Sequence, residues 1–125
     1  MKKSILYIIV TLCLLAIGTW YEQTAVLKSF DDLQRKVGTC LEKANEQTLT
    51  KKEVEEFQQE WEDKKKYLHV FIPHADIREV GLWVSEAIAF TEYENFEESA
   101  DKLKVIYDLL KQIPQNYRFK IENLL

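Results

Sequence analysis

Residues 5–21 contain no charged side chain, and this run constrains the fold more than any other feature of the chain. As a helix it measures about 25 Å, the short end of what crosses a bilayer. Lys2 and Lys3 precede it, and Trp20 and Tyr21 close it where an interfacial aromatic pair belongs. A secretory signal peptide has the same charged start and apolar core. Ala16-Ile17-Gly18 also sets small residues at the two cleavage positions, so removal after Gly18 is the rival reading. Against it, no turn-forming or polar spacer precedes Ala16, and the helical pattern continues through Trp20 and Tyr21. Leu12 before Cys13 is not the small residue a lipidation site requires. The sequence therefore predicts an uncleaved anchor over residues 1–21 and a helical domain over 22–125. By the positive-inside rule Lys2 and Lys3 stay in the cytoplasm, which makes this a single-pass cell-membrane protein with its C-terminal domain extracytoplasmic.

The domain beyond the anchor is acidic. Setting Lys2 and Lys3 aside leaves 15 of the 17 basic side chains against all 21 acidic ones, a net charge of −6. Such a surface repels nucleic acid and anionic headgroups. Lys64-Lys65-Lys66 does not reverse this, because Glu60, Glu62 and Asp63 flank it, and the run reads as a solvated helix face. Three Gly and two Pro are too few for an all-β fold of this length. Cys13 in the apolar run and Cys40 in the domain are too far apart to pair, so Cys40 reads as a buried thiol, with an intermolecular bridge as the alternative in an oxidising space.

Apolar spacing predicts four helices. The first carries Leu27, Phe30, Leu33, Val37, Leu41 and Ala44 on one face and continues directly from the anchor. Thr50-Lys51-Lys52-Glu53 is a capping box that opens the second, with Val54, Phe57, Trp61, Leu68 and Ile72, and Pro73 is expected to end it. The third carries Ile77, Val80, Val84, Ala87 and Ile88. The fourth starts near Asn95, carries Ala100, Leu103, Ile106, Tyr107, Leu110 and Ile113, and meets Pro114. Residues 117–125 read as a docked tail or a short final helix. The fold expected is all-α: an N-terminal transmembrane helix continuing into an antiparallel helical-hairpin bundle of about four helices. Ile72-Pro73-His74 and Ile113-Pro114-Gln115 also form an echo 41 residues apart, the mark of a helix-hairpin repeat, although the apolar spacing between them does not align without a gap.

No Gly-rich phosphate loop, nucleophile elbow or paired CxxC is present. The acid pairs Glu55-Glu56 and Glu97-Glu98 sit on predicted polar faces, where a carboxyl keeps its charge instead of serving as a general acid. His69 and His74 are the only histidines, and with Asp76 and Glu79 they could supply metal ligands. Pro73 lies between them, so no single helical face joins them, and His74 with Asp76 reads first as a helix start. The aromatic side chains of the second to fourth helices are expected mainly in the core. An exposed Trp83 with Phe90 would mark a protein contact.

Taken in order, Gly18-Thr19-Trp20, Glu60-Trp61 before the lysine run, His74-Ala75-Asp76-Ile77, Ile113-Pro114 and the ending Ile121-Glu122-Asn123-Leu124-Leu125 resemble a bacterial family, the domain of unknown function numbered forty-three sixty-three. The likeness spans almost the whole chain. Pro73 directly before the His loop departs from it. The resemblance implies a membrane-associated helical protein and no activity.

The function expected is a non-catalytic interaction or accessory protein at the outer face of the cytoplasmic membrane. It would be held by residues 5–21 and associated with a membrane or extracytoplasmic protein, with no cofactor, no metal and no nucleic acid. The alternative is an extracytoplasmic module that senses or binds a small ligand or metal. The contact candidates are Trp61, His74, Asp76, Trp83, Phe90 and Asn123.

Overall fold

The computed structural model describes residues 1–124, and nearly all of them lie in four α-helices: α1 (Lys2–Asn45), α2 (Lys51–Leu68), α3 (His74–Glu92) and α4 (Phe96–Leu124). No strand occurs among the described residues. Each helix buries a seam whose spacing alternates between three and four residues. In α1 the seam is Val26, Phe30, Leu33, Val37, Cys40 and Ala44. In α2 it is Val54, Phe57, Trp61 and Leu68, with Lys64 at the position between the last two. In α3 it is Ile77, Val80, Val84, Ala87 and Thr91, and in α4 Ser99, Leu103, Ile106, Leu110 and Ile113. This is the 3.5-residue period of coiled-coil packing, in which side chains of facing helices interdigitate.

The helices form a ring. α1 packs on α2 and α4, α3 packs on α2 and α4, and the diagonal pairs are not in contact. Connections over 46–50, 69–73 and 93–95 are too short for anything but antiparallel neighbours, so the chain runs up-down-up-down around one core. Leu27 and Leu41, expected in the centre of the α1 stripe, are half-buried on its flank, as are Ala100 and Tyr107 in α4. Val26, Cys40 and Ser99 hold the central positions instead. The seam follows a strict 3.5 period, whereas the wider apolar stripe read from the sequence favours the larger side chain at each turn.

Helix ends are built locally. The Thr50 hydroxyl accepts the Glu53 amide at 3.3 Å and the Glu53 carboxylate accepts the Thr50 amide at 3.3 Å, the expected capping box. α1 and α3 close alike. Thr48 N–H donates to Lys43 O at 2.8 Å and Asn95 N–H to Phe90 O at 2.9 Å, while Gln47 and Glu94 take left-handed φ values of 61° and 56°. These are Schellman closures with a side chain where glycine is the strain-free choice.

Both prolines act differently from the sequence expectation. α2 stops at Leu68, not at Pro73, and Pro73 begins α3: its carbonyl accepts the amides of Asp76 at 3.1 Å and Ile77 at 3.2 Å. Pro114 lies inside α4, which runs on to Leu124. An interior proline lacks one N–H and crowds the carbonyl four residues back, a cost of about 3 kcal/mol. The helix persists because Ile113 is buried and Tyr117 packs against the core on the next turn. One proline thus opens a helix and the other sits within one, which dissolves the 41-residue echo as a repeat.

Every residue from Met1 to Glu22 is exposed. Gln23 is the first that the bundle partly covers and Val26 the first it buries. At about 1.5 Å per residue, α1 is a rod of roughly 66 Å, half of it outside the bundle.

Glu94→Gly and Gln47→Gly should each stabilise the bundle by about 1 kcal/mol, because the left-handed conformation costs glycine nothing. Thermal melts of the full chain in detergent should rise by roughly 4–8 °C per variant.

Candidate functional site

The turn over 69–73 brings the two histidines together. His74 Nδ1 lies 3.1 Å from His69 Nε2, with ring centroids 5.1 Å apart. Read as a chain, Pro73 separates the two; in space, the five-residue turn after Leu68 folds His69 back over the start of α3. The pair lines a groove between α2 and α3 with Glu62, Lys65, Arg78 and Leu82. Asp76, in the first turn of α3, does not join it. Asp76 instead lines a small cavity of about 200 Å³ on the other side, with Phe71, Pro73, Tyr117, Phe119 and Lys120. Among the described residues no group of three or more His, Cys, Asp and Glu side chains is placed to share a metal ion.

The remaining contact candidates separate by burial. Trp61 is fully buried and presents no surface to a partner. Its indole N–H has no acceptor, a deficit worth about 1–3 kcal/mol, and Gly81 faces it: a Cβ there would stand 3.9 Å from the indole nitrogen. Trp83 and Phe90 are not free aromatic surface either. Both are half-buried on the outer α3–α4 face, and Lys102 lies over them, 5.2 Å from the Trp83 ring and 5.6 Å from the Phe90 ring. A cation over two ring faces satisfies them in place. Asn123 is exposed one residue before the end of α4.

The lysine run is not a uniform solvated face. Lys64 occupies a seam position, is 24% exposed, and pairs with Glu60 on its own helix at 2.9 Å and with Asp32 on α1 at 3.6 Å. Lys36 of α1 reaches Glu60 at 2.9 Å. Burial pushes the Glu60 carboxyl up, but hydrogen bonds from Lys36 and Lys64 outweigh it and leave the carboxyl below its ordinary range. The Lys43 bond does the same for Glu53. Periodicity at three and four residues would have placed Lys64 on the seam; its charge directed the reading to solvent.

Cys40 is buried, and burial pushes its thiol up to about 11. A thiol so rarely ionised is a poor nucleophile. Ser99 is buried as well. Thr91 spends its hydroxyl proton on Ala87 O at 2.7 Å, so Ser99 donates across the α3–α4 seam to Thr91 at 3.0 Å.

The Glu60 pairing sets a pH dependence. A depressed carboxyl contributes stability at pH above its unfolded value near 4.5, and that contribution is lost as pH falls through the lower folded value. Glu60→Gln should cost about 1 kcal/mol at pH 7 and flatten the acid limb. Urea midpoints for both proteins at neutral and acidic pH check this, and the gap between them should narrow in acid.

No curated protein and no solved structure matches the chain. A family profile does, over residues 20–124, from the last residues of the apolar run to the end of α4. That span includes every seam, the capping box and the histidine turn, so the chain belongs to the family of the domain of unknown function DUF4363.

Proposed function

We propose that this protein is a non-catalytic interaction or accessory protein tethered to the cell membrane by residues 1–21, with the bundle of residues 22–125 on the outer face. The observation that carries the reading is α1. Its residues up to Glu22 are wholly exposed, they include a stretch long and apolar enough to cross a membrane, and they join the bundle without a break in the helix. An exposed apolar rod in water is unstable, and lipid is the solvent that accommodates it. A cleaved signal helix has the same composition, but α1 turns from exposed to buried within one unbroken helix, so the tether and the core share one structural element. Lys2 and Lys3 before the run set the orientation. The net negative charge of the bundle suits a protein partner better than nucleic acid.

In membranes prepared from cells expressing the full chain, the mature protein should retain Met1 or Lys2 at its N-terminus by mass, resist carbonate extraction, and crosslink through the bundle to a membrane or extracytoplasmic protein. A chain recovered free in solution and starting at Thr19 would end the tether. A chain that remains membrane-bound but crosslinks to nothing would end the accessory role.

A second reading, metal binding, is favoured by the histidine contact. Metal–nitrogen bonds of about 2.0–2.1 Å put two ligands on one ion about 3 Å apart, close to the 3.1 Å between His69 and His74. Water would fill the remaining positions. On this reading zinc raises the melting temperature of the full chain in detergent, and His69→Gln and His74→Gln each abolish the rise while Asp76→Asn keeps it. An unchanged melt with zinc removes this reading.

A further inference from the structure

The antiparallel register of α1 and α4 fixes where the bundle stops. Gly38 of α1 meets Tyr107 of α4, and Leu27, Asp31 and Gln34 of α1 line a groove with Lys111, Pro114 and Arg118 of α4. Continued, this register sets the last turn of α4 level with Tyr21, where the apolar run ends. The 69–73 turn lies at the same end. Its neighbours Tyr67 and Tyr117 fall within electrostatic reach of Glu22, and Tyr67 stacks on Phe71 with centroids 5.2 Å apart.

This end is aromatic and apolar where a soluble bundle would be polar. Among the described residues outside α1 the exposed large apolar side chains are Tyr67, Val70, Leu82, Tyr93 and Phe119. Three of these five are here: Val70 at 77% exposure on the turn, Phe119 at 64% on the last turns of α4, and Tyr67 between them. Lys66 and Lys120 flank them and are exposed, long enough to reach phosphates from beside an apolar tip. Trp20 and Tyr21, exposed on α1, stand roughly 10 Å further along the axis toward the apolar run. Aromatic side chains gathered near one end from three helices and a turn are what membrane–water interfaces select, since tyrosine and tryptophan join an apolar ring to a polar group.

We propose that this end of the bundle is a second membrane contact. Trp20 and Tyr21 lie at the boundary between headgroups and acyl chains of the bilayer that holds α1, and Val70 and Phe119 reach its headgroup layer. The proposal rests on the tethered reading. The bilayer is the occupant because the face is continuous with the apolar run that the tether commits to lipid. The contact makes the bundle an upright rigid extension of the span instead of a domain swinging on it, so the far end, with Tyr93 and the 46–50 connection, stands at a set height above the surface.

The test uses the full chain with Cys13→Ser, reconstituted in vesicles of phosphatidylcholine and phosphatidylglycerol. Single cysteines at Val70→Cys, Phe119→Cys, Trp20→Cys or Tyr93→Cys carry an environment-sensitive fluorophore; the buried Cys40 does not label. Lipids bearing a nitroxide near the headgroup should quench the labels at 70 and 119 about as strongly as the label at 20, and several-fold more than the label at 93. Quenching at 20 with positions 70 and 119 no stronger than 93 overturns the contact and leaves the tether intact. No quenching at 20 removes the tether and the contact with it. Labels at 70 and 119 shielded from both lipid nitroxide and aqueous iodide would mean that protein covers this end, which also overturns the proposal.

Discussion

The bundle depends on one packing constraint, the matching of four seams with a 3.5-residue period. The longest, Val26 to Ala44 on α1, runs antiparallel to Ser99 to Ile113 on α4. Because α1 also carries the exposed apolar run, the α1–α4 seam is where that run and the domain become one body. A helix that left the core at Gln23 through a flexible joint would hold the run loosely. A helix that leaves it as the same rod fixes the direction of the run relative to every other element.

Three positions break the apolar pattern of the seams, and each is resolved by a neighbour. Lys64 takes a seam position in α2 and is answered by Glu60 and Asp32. Thr91 and Ser99 answer one another across α3 and α4. Polar groups in a coiled-coil seam cost stability relative to leucine and are tolerated in one register only, since a shift of one helix would strand each of them. In a ring of four similar helices, where an alternative order of neighbours buries comparable area, such positions discriminate between arrangements.

The candidate sites were legible in the sequence to very different degrees. Cys40 as a buried thiol and the capping box at Thr50 follow from local rules and hold in the fold. Trp61 lies on the apolar stripe expected for α2 and is also a contact candidate, and its burial in the seam decides for the core. His69 and His74 meet because α2 ends early and the next five residues fold back, a tertiary event that a Pro at position 73 conceals from a reading by helical faces. Asp76 sits on the opposite side of that turn, so two residues adjacent in sequence to the same motif face different surfaces.

Helix number, the capped starts near Thr50 and Asn95, the acidic character of the domain and the apolar run over 5–21 are properties of local periodicity and composition, and the sequence by itself determined them. Which apolar face became the seam, the passage of α4 through Pro114, the burial of Lys64 and the gathering of Tyr67, Phe71, Tyr117 and Phe119 at one end were decided by tertiary structure. The physical reason is that helix formation needs only neighbours within four residues, whereas register is set by facing helices. Packing of α1 against both α2 and α4 brings Tyr117 within electrostatic reach of Tyr67, a neighbourhood that no window of the sequence contains.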